Sequence, residues 1–384
     1  MSIVPEVDVV VVGGGPAGAS AALTLLRYSS LRVLLVEQSA YEHDRVGETV
    51  SAALRPLLNY LGVSDLLTED LHLPAYATGA AWGSADLLSR DFLFTGHGDG
   101  WYLQRRLFDR QLAEQVSVRG GQLCMQTQIA GIRCTPTDDW QLELVTRAGE
   151  QRMVMAKFVI DTSGQQARFA RRQGTLWRSV DHLVGLVGYV EQEAESVEAH
   201  TAIIEAMPYG WWYSAPLADQ RIVVSLLSDA DLLHALQARE PARWDALLQG
   251  TVYTRRRLER GARCSALTMR PAVSHVLCPA VGRCWITAGD AAASFDPLAS
   301  MGVGHALASG MHAARCVSAC LHGDMQLAAA YDTHVLRNFL QYLQLRQAYY
   351  LLEQRWPDQP FWQRRHRRAR EETFLWERMA RTER

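Results

Sequence analysis

Glycines 13, 15 and 18 stand in a Gly-x-Gly-x-x-Gly spacing directly behind four valines, Val9–Val12. Such a spacing lets a backbone hold a pyrophosphate. The first glycine permits a tight turn, the second lets the main chain approach the phosphates, and the third lets the next helix pack close to the strand. Pro16 and Ala17 open that helix, expected to reach Leu26, and its free N–H groups and positive dipole end face the anion. Glu37 follows about 20 residues farther on, a carboxylate placed to take both hydroxyls of an adenosine ribose. Gln38 and Arg45, in the loop behind it, join the candidate binding set.

A second group stands late in the chain: Gly289-Asp290-Ala291-Ala292, then Asp296-Pro297 and Gly302-Val303-Gly304. A strand that ends in Gly-Asp puts a carboxylate over a ribityl chain or near a phosphate. A helix that begins near Gly302 directs its positive end at the N1–C2 edge of a flavin, where negative charge sits after reduction. Two such elements in one chain favour FAD over NAD.

These groups need a scaffold. The valine run predicts a parallel strand buried on both faces, and residues 31–36 predict its neighbour. Helices are expected over 51–63 and 106–119, strands at 80–82 and 91–94, and a strand meander over 122–134, 140–147 and 151–160. Residues 184–190 and 201–227 have a strand-like period and read as a second sheet able to cover a cofactor. A helix near 231–250, a strand near 262–270 and a helical tail from 303, broken at Trp356-Pro357-Asp358, complete the reading. The expected division is a discontinuous cofactor domain of residues 1–75, 101–175 and 278–335. A β-sheet substrate domain takes 76–100 and 176–277, and a helical region takes 336–384.

The composition sets bounds. The 384 residues are 48% hydrophobic and 21% charged, a globular balance with enough chain for a sizeable core. A net charge of −2 argues against nucleic acid or a membrane surface as partner. The apolar stretch 9–26 holds Pro16 and several glycines and lacks a basic flank, so neither a membrane span nor a signal peptide is expected. Seven scattered cysteines without a Cys-x-x-Cys signal neither a zinc site nor a disulfide framework, and reduced thiols in a cytoplasmic setting are the default.

The glycine motif, Arg105 in Arg-x-x-Phe-Asp-x-x-Leu (105–112), and Gly289-Asp290 with Pro297 and Gly302 together resemble the FAD-dependent class A hydroxylases. The resemblance implies an α/β fold: a Rossmann-like FAD-binding domain, an inserted β-sheet substrate domain and a helical tail, with Arg105 beside the FAD pyrophosphate and ribityl region. Gly47-Glu48-Thr49, Gly210-Trp211-Trp212-Tyr213-Ser214-Ala215-Pro216 and Asp296-Pro297-x-x-Ser300-x-Gly302 are similar to motifs of the halogenase-like branch. Halogenases carry a lysine at the place matching Thr78 here. The only lysine, Lys157, lies in a strand feeding Asp161, so halogenation of that type is not expected.

What the resemblance implies instead is oxygen transfer to an electron-rich ring through a flavin C4a-hydroperoxide. Trp82, Trp211 and Trp212 are candidates for holding the ring. Glu48, Tyr213, Asp296 and His305 are the candidate catalytic groups, with His97 a weaker one. The tail, Tyr349 to Arg365, resembles the ending of LodB/GoxB-type flavoproteins. These act on a tryptophan inside a partner polypeptide towards cysteine tryptophylquinone, so a precursor protein is the implied partner. The basic run Arg364 to Arg370 is either a solvated helix end or a docking surface for an acidic partner. No second Gly-x-Gly-x-x-Gly marks an NAD(P)H domain, so electrons come from transient NAD(P)H contact or a separate flavin reductase. Three other readings remain open: a small-molecule aromatic hydroxylase or halogenase, a flavin-binding maturation chaperone, and a prenyl-chain reductase.

Overall fold

In the computed structural model, residues 6–92, 98–192, 200–259, 261–262, 266–324 and 326–367 are described. The strand Glu6–Val12 forms the centre of the first sheet, paired in parallel with Val33–Val36 on one side and Gln151–Asp161 on the other. Val9 and Val11 face one apolar layer, and Val10 and Val12 face the other. Each buried valine stabilises the fold by about 1.5–3 kcal/mol relative to an exposed one. Helices Pro16–Tyr28, Arg105–Val118 and Gly302–Leu321 cover the first of these faces. Trp285–Thr287 and Gln122–Cys124 extend the parallel core outward on either side. The connections reverse direction beside the central strand, which opens a crevice at its carboxyl end, where Gly13 lies.

The second sheet runs through Leu183–Gln192, Arg221–Asp229, Gly210–Pro216, Thr201–Met207, Ala77–Ala81 and Leu88–Asp91. Cross-strand register fixes its two faces. Tyr213 lies opposite Ser225 and Ile204, while Trp212 lies opposite Leu226 and Glu205. Since successive residues point to opposite faces, Trp211 and Tyr213 share one side and Trp212 takes the other. The Trp212 side packs against Leu233, Trp244 and Leu258 from three short helices, Ala230–Ala235, Pro241–Gln249 and Tyr253–Leu258.

The first two of these replace the single helix expected near 231–250, because Gln237 adopts φ +54 and Pro241 begins a new helix. The helix expected over 51–63 spans Leu54–Leu61 and ends at Gly62, in the left-handed region. The strand expected at 80–82 lies at Ala77–Ala81, which leaves Trp82 just past its end; of the one expected at 91–94, Asp91 ends the strand Leu88–Asp91 and residues 93 and 94 lie outside the described residues. The tail is two long helices, Gly302–Leu321 and Gln326–Leu352, turned at Gly323 (φ +94), followed after Trp356-Pro357 by helical residues 360–367. Among the described residues no helix is long and apolar enough to cross a membrane.

Candidate active site

One cavity of about 560 Å³ extends from the crevice of the first sheet to the Trp211–Tyr213 face of the second. Gly13, Gly15, Pro16 and Ala17 line its inner end, with Glu37, Gln38 and Arg45 beside them. Gly13 sits at φ +108 against the Thr162 carbonyl, and a Cβ on Gly18 would collide with the Gly13 carbonyl and Thr162. Gly18 is thus packed behind the turn rather than on the cavity surface, as close helix–strand packing requires. At Gly15, Gly302 and Gly304 an added Cβ would meet nothing within 4 Å. Gly15 and Gly302 line the cavity, so the bare backbone at these two borders space large enough for a ligand.

Glu37 is preset. Its Oε2 accepts from Gly14 N–H at 2.7 Å, and its Oε1 accepts from Ser39 N–H at 2.9 Å and Arg45 at 3.4 Å. Asp109, buried on the Arg105 helix, takes Arg45 at 3.0 Å and both arms of Arg105 at 3.0 Å. Arg105 also donates to the Val46 carbonyl at 2.7 Å. Asp109 was assigned no role from the sequence. Its spacing four residues after Arg105, on one helix face, was the available signal.

Asp290 lines the cavity, and among the described residues no protein donor reaches its carboxylate. Burial raises its pKa to about 6, opposed only by the charge of Arg105. A carboxylate so placed calls for hydroxyl donors from a ligand. The donor set therefore fits FAD. Gly289 stands directly behind Asp290, close against Ala17.

The far wall consists of Gly185, Val187, Ile204, Trp211, Tyr213, Ser225 and Leu227 from the second sheet. Facing it are Phe295, Asp296, Pro297, Ser300, Met301, Gly302 and Val303. Glu48 lies at the seam. Its Oε2 accepts from Gly47 N–H at 3.0 Å, while its Oε1 is buried without a hydrogen-bond partner. Burial raises its pKa to about 7, against the opposing pull of the Gly47 N–H and Arg105. Next to it Thr49 Oγ1 lies 2.6 Å from the Tyr213 hydroxyl. Burial holds the Tyr213 phenol well above its ordinary pKa, and the negative charge of Glu48 adds to this.

Other expected site residues lie elsewhere. Trp212, expected to hold the ring, is a core residue instead, because the strand alternation turns it from the cavity to pack edge-on against Trp244 at 4.7 Å. Trp82 packs edge-on against Trp211, Tyr350 and Trp362, and its indole N–H donates to the Tyr349 carbonyl at 2.7 Å. It supports Trp211 from behind rather than facing the cavity. His305 packs edge-on against Phe295 at 4.5 Å, and burial lowers its pKa to about 4. It is not among the described residues that line the cavity. Asp296 does line the cavity, but its oxygens are engaged by Leu298 N–H, Arg346 and Tyr350. The expected acid/base role gives way to an anchoring one. His97 lies outside the described residues.

Lys157 pairs with Asp8 at 2.9 Å and is half exposed, and Thr78 sits in the second sheet opposite Ala202. Neither is among the described residues that line the cavity. In the basic run, Arg364 and Arg365 bind Asp229 at 2.9 and 2.8 Å, and Arg364 binds Asp231. Arg365 is buried in this contact, while the Arg364 side chain stays 37% exposed. Residues 368–370 lie outside the described part.

Residues 6–338 match the family described as FAD binding domain. The chain is 31% identical over 366 residues to LodB of Marinomonas mediterranea, which bears the description FAD-dependent oxidoreductase. That match covers 94% of this chain and 96% of LodB. The fold is similar to that of the myxobacterial chondrochloren halogenase CndH, with a TM-score of 0.85 and 21% identity, over 97% of this chain and 89% of the other. It is also similar to that of QhpG, described as a peptidyl tryptophan dihydroxylase essential for tryptophylquinone cofactor biogenesis. There the TM-score is 0.77 at 23% identity, covering 94% of this chain and 78% of QhpG.

Proposed function

Because the chain belongs to the FAD binding domain family and is an FAD-dependent oxidoreductase, we propose that it hydroxylates an electron-rich aromatic ring. The ring we assign is a tryptophan side chain of a partner protein during cysteine tryptophylquinone maturation. Bound, reduced FAD supplies the activated oxygen for such a reaction. The chain's own residues do the rest. The bare backbone at Gly15 and Gly302 and the carboxylates of Glu37 and Asp290 hold the cofactor. Val187, Ile204, Trp211, Tyr213 and Leu227 bind the ring and keep water away from it. Glu48, with its free Oε1 and a pKa near neutrality, takes or returns a proton there.

The observation that carries this reading is a single cavity that joins a dinucleotide cradle to an aromatic wall, with Glu48 at the seam. The peptidyl target is supported by the end-to-end likeness to LodB, by the LodB/GoxB-like tail sequence and by what QhpG is described as doing.

The test is a side-by-side assay. Purified protein, FAD, a reductant and oxygen are incubated with a candidate precursor polypeptide, with free tryptophan and with free indoles. Gain of oxygen on a tryptophan of the polypeptide, with free rings left largely unchanged, is expected. Fast, coupled hydroxylation of the free rings alone would overturn the peptidyl assignment.

A further inference from the structure

Tyr350 lies on the helix Gln326–Leu352, fully buried and not among the described residues lining the cavity. Its hydroxyl nevertheless touches both walls. It accepts a hydrogen bond from the Trp211 indole N–H at 3.3 Å and donates one to Asp296 Oδ2 at 2.7 Å. Trp211 belongs to the sheet wall. Asp296 caps the Pro297–Ala299 turn by accepting from Leu298 N–H at 3.0 Å, and this turn leads through Met301 to Gly302 on the opposite wall.

The phenol has little freedom to move. Arg346, one turn earlier on the same helix, donates to the same Asp296 oxygen at 3.3 Å and to Asp181 at 2.9 Å. The guanidiniums of Arg346 and Arg365 lie 5.2 and 5.1 Å from the Tyr350 ring centre. Trp82 and Trp362 pack on the ring at 5.7 and 6.0 Å. A ring held on so many sides aims its hydroxyl in one direction.

We propose that Tyr350 is a positioning residue for the cavity: from outside it sets the plane of the Trp211 indole and locks the Asp296–Gly302 loop against it. The indole of Trp211 has its edge N–H bonded to Tyr350 and part of its surface on the cavity, so turning the indole changes the shape of the wall a ring would meet. Without the hydroxyl, the Trp211 N–H is buried with no partner named by the fold, and the indole can turn. The consequence for ring binding rests on the hydroxylase reading above. The two hydrogen bonds do not.

The test uses full-length, FAD-loaded protein with ¹⁵N-labelled tryptophan indoles. The Trp211 resonance is assigned by its loss in Trp211→Phe. In Tyr350→Phe that resonance is expected to move, and its hydrogen exchange to speed about fivefold, the factor matching one ordinary net hydrogen bond. The neighbouring Tyr349→Phe is expected to leave it in place. Binding of indole is expected to weaken about tenfold. If Tyr350→Phe fails to fold, Asp296→Asn serves, since weakening the acceptor of the Tyr350 hydroxyl moves the same resonance. An unmoved Trp211 resonance in the folded variant overturns the proposal. A resonance that moves, in a protein that hydroxylates no ring, instead upholds the positioning and overturns the hydroxylase reading.

Discussion

The hydroxyl of Tyr213 stands 2.6 Å from Thr49 Oγ1, a hydrogen bond that ties the second sheet to the short strand Thr49–Val50 behind Glu48. Thr49 follows Glu48 on the cofactor side, and Tyr213 belongs to the wall opposite. The bond therefore fixes how far the wall stands from Glu48. Tyr213→Phe is expected to lower stability by about 1 kcal/mol, the net worth of one hydrogen bond. It is also expected to lower the yield of hydroxylated product per reductant consumed. Thermal melting and paired measurement of product and peroxide check both.

The glycines divide into two kinds, and their variants should part accordingly. Gly13→Ala forces a side chain against Thr162 at φ +108, so the fold itself is expected to weaken, by at least about 1 kcal/mol. Gly15→Val and Gly302→Val meet no protein atom at Cβ. They are expected to keep the melting temperature of the apoprotein and to weaken FAD binding by about tenfold or more, or about 1.4 kcal/mol. Equilibrium flavin titration separates the two outcomes.

Glu48 should give the apoprotein a pH signature. Its pKa is raised by burial to about 7, so between its unfolded value near 4.3 and that point the folded state binds more protons than the unfolded one. Stability therefore falls as pH rises through this window, by up to about 4 kcal/mol. Glu48→Gln is expected to flatten that part of the profile. In the loaded enzyme it is expected to remove the ionisation near pH 7 from the rate profile. Urea unfolding at stepped pH and a pH–rate series are the measurements.

Asp229 holds the end of the tail. Burial works against its charge, but Arg365 and Arg364 more than offset this and keep its pKa below the ordinary range. Its contribution is complete above an unfolded pKa of about 3.9 and is lost as pH falls through the lower folded value. Asp229→Ala leaves Arg365 buried without its carboxylate and is expected to cost about 3–5 kcal/mol. Arg364→Ala, at a half-exposed position, is expected to cost about 1 kcal/mol or less. Denaturant midpoints at neutral pH test the ranking.

Lys157 pairs with Asp8 rather than lining the cavity. Lys157→Met is therefore expected to leave the identity of the oxidised product unchanged, and added bromide is expected to yield no brominated product. Mass spectra of the reaction mixture check this directly.

The parts of this architecture that could be read from the chain are those encoded locally. The valine run, the glycine spacing and the acid at Glu37 each follow from a few neighbouring residues. The period-two pattern of 210–216 even carried the answer to which tryptophan faces the cavity, since Trp211 and Tyr213 share parity and Trp212 does not. What was not legible depends on distant partners. Nothing near Tyr350 in sequence announces Trp211 or Asp296. His305 sits among small residues whose spacing does not reveal which way the helix is turned, and Phe295 packs against its ring. The basic run looked exposed because its acids, Asp229 and Asp231, come from a strand end and a short helix far upstream.

The placement of Tyr350 so far behind its partners has a consequence for biosynthesis. A nascent polypeptide carries Trp211 and Asp296 long before the residue that joins them leaves the ribosome, 139 and 54 positions later. The apolar layer behind the cofactor cradle likewise takes Tyr331, Val335 and Phe339 from the same helix. One late-made element therefore finishes both ends of the cavity.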